Sequence, residues 1–145
     1  MRGRVGHSRV DEMKHVNGPS CPRCDDLLKR GHPSLAKHLN ELKKTFPDLH
    51  TSCVWRGEKD QNKAVAERKS RTPWPKSKHN GMRDGKPFAL AMDLFRIGVD
   101  GKAYFNRDFY LEVANLSQIL RMDLEWGGDW KKFPDCPHFQ MKEKA

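Results

Sequence analysis

The chain has 145 residues, 36% of them hydrophobic, and a formal net charge of +9. That length suits one domain with one core, and no apolar run approaches the roughly 20 residues of a membrane-spanning helix. The charge favours polyanions in general, wall polymers and membrane surfaces among them. The cations are spread along the chain, with a modest cluster from Lys63 to Lys78, and no zinc-finger, zipper or RNA-recognition pattern accompanies them, so specific nucleic-acid binding is not expected.

Residues 1 to 30 show no apolar period and read as a loosely ordered basic arm ahead of a domain from 31 to 145. No apolar stretch follows the basic start of the chain, so a secretory signal is not expected, nor, without one, a disulfide framework. Cys21-Pro22-Arg23-Cys24 has the spacing of half a zinc site or a redox pair. Cys53, His32 or His38 could complete a structural site; free thiols in a reducing compartment are the alternative.

A helix is predicted from Pro33-Ser34, with Ser34 as N-cap, to Pro47. Leu35, His38, Leu39, Leu42 and Phe46 share its apolar face, and Lys37, Lys43 and Lys44 take the rest. Leu49 to Trp55 reads as a strand and Glu58 to Lys69 as a polar helix. A proline-punctuated loop then carries Trp74 to Ser77-Lys78-His79-Asn80.

Gly81 to Lys86 is a polar loop. Pro87 to Ile97 is the most regular strand, with Phe88, Leu90, Met92 and Leu94 on the core face. Ala89, Ala91, Asp93 and Phe95 take the other face, where small neighbours leave room above Asp93. Asp100-Gly101 marks a hairpin. Asn106 can cap a helix from Arg107 to Met122, striped by Phe109, Tyr110, Val113, Leu116, Ser117 and Leu120. Leu124 to Trp126 and Pro137 to Met141 read as short strands.

Between those strands lies Trp126-Gly127-Gly128-Asp129-Trp130, then Asp135-Cys136-Pro137-His138-Phe139. A zinc hydrolase needs three protein ligands, an open position and a base near it. His79, Asp93 and His138 offer the ligands. Asp135 offers the base, held close to His138 because Pro137 restrains both itself and Cys136. Each residue also has an ordinary reading, as a packed histidine, an edge aspartate or a turn former. Trp126 and Trp130 either wall the site and limit water or pack in the core.

These words together resemble the signature of the M15 zinc peptidases: S-x-H, then A-x-D, and late in the chain W-G-G-D-W with D-x-P-H-F. They are most similar to the L-alanyl-D-glutamate endopeptidases of phage endolysins and bacterial cell-wall enzymes. The resemblance spans about residues 35 to 140. It implies a small α+β domain, an antiparallel sheet flanked by helices as in Hedgehog and DD-peptidase folds. It implies zinc on His79, Asp93 and His138, Asp135 as the catalytic carboxylate, and Arg56 as the arginine that steadies a substrate carboxylate or the oxyanion. The implied substrate is bacterial peptidoglycan. The implied setting is a monomer held in the host cytoplasm until released to the wall. D-alanyl-D-alanine carboxypeptidase or dipeptidase activity would use the same metal site. A rival of another class is a basic polyanion-binding module with a cysteine-based structural zinc and no catalysis. This sequence departs from the pattern in a longer gap between His79 and Asp93, in Gly57 after Arg56 where serine is usual, and in the arm with Cys21 and Cys24.

Overall fold

The computed structural model describes residues 14–142. Its element order is α1 (Pro22–Leu28), α2 (Pro33–Lys43), β1 (Leu49–Cys53), α3 (Glu58–Ala66), β2 (Met82–Arg83), β3 (Lys86–Pro87), β4 (Ala91–Ile97), β5 (Ala103–Tyr104), α4 (Arg107–Ile119), β6 (Leu124–Trp126) and β7 (His138–Met141). The main sheet is five-stranded and antiparallel, in the order β1-β4-β7-β6, with β5 also paired to β4.

The α+β expectation holds, and the apolar periods explain it. On α2, Leu35, Leu39 and Leu42 fall on one face and are fully buried; each contributes on the order of 1.5–3 kcal/mol by leaving water. On α4 the same spacing buries Phe109, Tyr110 and Val113, and Asn106 caps the helix by accepting from the Asp108 and Phe109 amides. One face of the sheet meets these helices through Met92, Leu94, Phe139 and Trp126. The Tyr110 hydroxyl crosses that interface to donate to the Leu94 carbonyl at 2.6 Å, which satisfies a buried polar group in the core.

Several expectations change. The arm is not loosely ordered throughout. Within it Pro22 starts α1, and Cys21, Cys24 and Leu28 pack into the main hydrophobic core, because residues three and seven apart share a helix face. Residues 1–13 lie outside the described residues. The cap of α2 is His32, whose Nδ1 accepts from the Ser34 amide at 3.0 Å. Lys43 is buried rather than exposed; its ammonium donates to the Leu49 carbonyl at 2.7 Å. Strand β4 begins at Ala91, and Phe88 and Leu90 are only half-buried. The predicted loop from Gly81 to Lys86 closes as the β2–β3 hairpin, pinned where the Phe88 amide donates to the Gly81 carbonyl.

Candidate active site

The face of the sheet turned from the helices carries the candidate site residues. In register, Cys53 on β1 stands opposite Asp93 on β4, and Asp93 opposite His138 on β7. Cross-strand partners share a face, so these three side chains form one row across adjacent strands. The pairing of Cys53 with Asp93 depends on a bulge between Thr51 and Cys53, an inserted residue of the kind that re-aims a side chain. Thr51 turns into the core and donates to the Asp93 carbonyl at 2.8 Å. Of the neighbours expected beside Asp93, Ala91 lies on the strand and is fully buried, while Ala89 precedes the strand and Phe95 is buried among other rings.

His79 reaches this row from the turn Lys78–Asn80. Ser77 caps that turn by accepting from the His79 amide, and the Asn80 side chain accepts in return from the Ser77 amide. Asn80 also donates to the Arg56 carbonyl at 2.9 Å and to Gln61 Oε1 at 3.1 Å. The Ser-Lys-His-Asn word therefore fixes both His79 and the segment that carries Arg56. The β2–β3 hairpin lengthens the connection from His79 to Asp93 without separating them.

The two histidine tautomers are set from outside the cluster. The Val54 carbonyl can only accept, so His79 donates to it from Nδ1 at 2.8 Å. Gln140 donates its amide toward Glu125 and presents Oε1 to His138 Nε2 at 2.8 Å, so Nε2 is the donor there. His79 Nε2 and His138 Nδ1 both point at Asp93 Oδ1, at 3.2 and 3.5 Å. Two lone pairs and a carboxylate oxygen cannot converge without a positive charge among them. In the metal-free chain a proton supplies it. Burial alone would lower the His79 imidazolium, but the charge and hydrogen bond of Asp93, with Cys53 behind, raise it from 6.5 to about 10. Burial likewise opposes the Asp93 carboxylate, and His79 and His138 outweigh it, holding Asp93 far below the usual range. Two nitrogens, one oxygen and an outer shell that fixes both rings also form a fitting donor set for zinc. Cys53 is a third neighbour of His79 and Asp93 within ligand distance. Its Sγ, however, lies 3.9 Å from His79 Nδ1, the ring nitrogen already committed to Val54, and 3.6 Å from Arg56 Nη2.

Arg56 forks over the same carboxylate. Its Nη1 donates to Gln61 Oε1 at 3.1 Å, and its Nη2 lies 3.5 Å from Asp93 Oδ2. Gln61, fully buried, is anchored in turn to the Thr72 carbonyl at 2.6 Å.

The two glycines of the late motif have a steric reason. A Cβ on Gly127 would lie 2.6 Å from the Asp135 carbonyl oxygen and 3.1 Å from His138 Cβ. The Asp135 amide donates to the Gly127 carbonyl at 2.9 Å, and the His138 amide to the Asp135 carbonyl at 3.1 Å. The loop thus folds flat on Gly127 and presents Asp135 beside the histidines. Burial raises the Asp135 carboxyl, the Asp93 charge adds to this, and His138, His79 and Arg56 only partly oppose it. A carboxylate raised toward neutrality is suited to taking and returning a proton. A Cβ on Gly128 would strike the Trp126 indole at 2.1 Å. Trp126 instead donates from Nε1 to the Cys136 carbonyl at 2.7 Å and stacks on Phe139. It is buried and does not line the cleft, so it supports the Asp135 loop from beneath rather than walling the site. Trp130 does line the cleft, 5.0 Å from the His138 ring.

The cleft has a volume of about 750 Å³. Around Asp93 and Asp135 its cations are Arg56, Arg68, Lys69, Arg71, Lys76 and Lys78. Gln140 is not singled out by the sequence, and Cys53 is read there only as a partner for Cys21 and Cys24. Gln140 could have been found, because a residue two positions beyond His138 on a strand shares its face. Cys53 could not be placed in the cleft row, because the bulge that aims it leaves no local signal.

A family model described as D-alanyl-D-alanine carboxypeptidase, one of the M15 peptidases, matches residues 48–141. The chain belongs to the M15 peptidase family. The M15 match begins at the edge of β1 and includes Arg56, His79, Asp93, Asp135 and His138, while α1 and α2 precede it. The peptidoglycan L-alanyl-D-glutamate endopeptidase CwlK of Bacillus subtilis (strain 168) is 33% identical over 63 residues, which cover 37% of this chain and 36% of that protein. The match therefore spans about a third of that relative's length. The crystal structure of the L-Ala D-Glu endopeptidase ChiX of Serratia marcescens superimposes with a TM-score of 0.66, covering 91% of this chain and 92% of that one at 23% identity. That likeness establishes the shared M15 fold.

Proposed function

We propose that this chain is a zinc-dependent peptidase of bacterial peptidoglycan that cleaves the L-alanyl-D-glutamate bond of the stem peptide. The observation that carries the reading is the convergence of His79 Nε2 and His138 Nδ1 on Asp93, with Asp135 held beside them. His79, Asp93 and His138 would hold the metal. Zinc bound there supplies Lewis acidity to the scissile carbonyl and lowers the pKa of a water. Asp135 takes the proton of the attacking water and returns it to the leaving amine. Arg56, fixed by Gln61, meets a substrate carboxylate or the developing oxyanion. The cations of the cleft wall suit a stem peptide, whose carboxylates are anionic at neutral pH. Val54 and Gln140 hold the imidazoles in their ligating tautomers.

The endopeptidase assignment is supported by the names of the relative and of the solved structure. The family model's own description favours a second reading, D-alanyl-D-alanine carboxypeptidase, at the same metal site. The motif resemblance further supports a role as a phage endolysin, a monomer that stays in the host cytoplasm until it is released to the wall. The test is zinc content and turnover on purified peptidoglycan, wild type against Asp135→Asn and His138→Ala. Asp135→Asn should keep its zinc and lose on the order of 10²–10⁴-fold in turnover. His138→Ala should lose both. An Asp135→Asn protein that loses zinc would mean that base and ligand have been exchanged.

A further inference from the structure

A second cluster of metal-ligating side chains lies away from the cleft, on the N-terminal side of the fold. The donor atoms of His15, Cys21, Cys24 and His50 all lie within 4.8 Å of one another. Cys21 Sγ is 3.5 Å from His15 Nδ1, Cys24 Sγ is 3.4 Å from the same nitrogen, and Cys24 Sγ is 3.5 Å from His50 Nδ1. Cys21, Cys24 and His50 are buried, and His15 half-buried.

We propose that these four residues form a structural, tetrahedral zinc site of two thiolates and two imidazoles, separate from the catalytic centre.

The distances match that geometry. Zinc–sulfur bonds of about 2.3 Å and zinc–nitrogen bonds of about 2.0–2.1 Å at tetrahedral angles place sulfur about 3.6 Å from nitrogen. Three of the four such edges are observed at 3.4–3.5 Å. Ordinary thiol hydrogen bonds explain the set less well, because one His15 nitrogen would serve two thiols at once.

The outer shell is also that of a metal site. Asn17 Oδ1 lies 2.7 Å from His50 Nε2, so the ring proton sits there and Nδ1 keeps its lone pair for the cluster. The Val16 amide donates to Cys21 Sγ at 3.4 Å, and the Thr51 amide to Cys24 Sγ at 3.4 Å. Backbone donors of this kind stabilise thiolates. Soft sulfur with imidazole selects zinc among the common divalent ions. Binding forms two Zn–S and two Zn–N bonds and releases two thiol protons to solvent.

The partners differ from those expected on sequence. Cys53 belongs to the cleft row, His32 caps α2, and His38 lies outside the cluster. His15 and His50 take their place. The ion would clip the segment before α1, and α1 itself, to β1. Strand β1 also carries Cys53, so the site would steady the sheet edge on which the cleft is built.

The test uses the full chain with cobalt in place of zinc, because only thiolate ligation gives an intense sulfur-to-cobalt charge-transfer band in the near ultraviolet. Wild type and the Asp93→Ala/His138→Ala double variant should both show the band, with two metal ions per chain in the first and one in the second. The band should persist in Cys53→Ser, weaken in Cys21→Ser and vanish in Cys21→Ser/Cys24→Ser. In His15→Cys it should strengthen while one ion is kept at the cluster, as a three-cysteine, one-histidine site would; this variant answers the question even if Cys21→Ser/Cys24→Ser fails to fold. Absence of the band from wild type, its persistence in Cys21→Ser/Cys24→Ser, or its loss in Cys53→Ser would overturn the proposal. None of these outcomes depends on peptidase activity.

Discussion

The Gly127→Ala substitution isolates the device that aims the late loop. The added Cβ would stand 2.6 Å from the Asp135 carbonyl oxygen, with His138 Cβ at 3.1 Å and Asp135 Cβ at 3.2 Å. Relaxed carbon–oxygen contacts settle at about 3.3–3.6 Å, so the loop must retreat by about 0.7–1.0 Å. The φ of Gly127 lies outside the left-handed region, so the effect is steric rather than conformational. Overpacking of this size costs about 1–3 kcal/mol, or roughly 2–12 °C in Tm for a chain of this length. A displacement near 1 Å at reacting groups costs on the order of 10²-fold in rate. Both Asp135 and His138 ride on the moved segment, so kcat should fall by about that factor while the protein remains folded. The assay is release of new amino termini from purified peptidoglycan, with Tm and zinc content measured on the same preparation. A Gly127→Ala protein with the lowered Tm but wild-type kcat would refute the claim that this contact sets the catalytic loop.

Arg56→Lys should lower kcat/KM by roughly 10²-fold, the scale of a lost oxyanion donor, because a single ammonium cannot span Gln61 and Asp93 as the guanidinium fork does. An unchanged kcat/KM would remove Arg56 from the machinery. In chelated protein, the His79 imidazolium raised from 6.5 to about 10 contributes stability that is full below 6.5 and is lost as pH rises through about 10. Chelated wild type should therefore lose Tm between those limits faster than chelated Asp93→Asn, which lacks the carboxylate partner; parallel pH profiles would contradict the pairing.

Much of this site was legible in the sequence because its signals are local. Asp93 lies in a regular β pattern beside a small residue, and Asp135 and His138 sit in one compact word with Gly127. The helices α2 and α4 announce themselves by apolar periods that the core then buries. The rest depended on contacts distant in sequence. Helix α1 has seven residues and a charged surface, too short for its period to stand out from a polar arm. Lys43 is drawn inward by a carbonyl six residues away, which no helical period predicts. Trp126 lies in the motif, yet its role under the Asp135 loop follows from the way its indole folds over Gly128. His15 and His50 look like ordinary isolated histidines until β1 is laid against α1.

The His79, Asp93, His138 and Asp135 cluster is proposed to cut the stem peptide within its chain. Mass spectrometry of purified peptidoglycan digested by the zinc-loaded protein tests it most directly. The expected products are fragments with a new amino terminus on D-glutamate and L-alanine left on the sugar, with no such products from Asp135→Asn. Free D-alanine as the sole product, with the L-alanyl-D-glutamate bond intact, would contradict it.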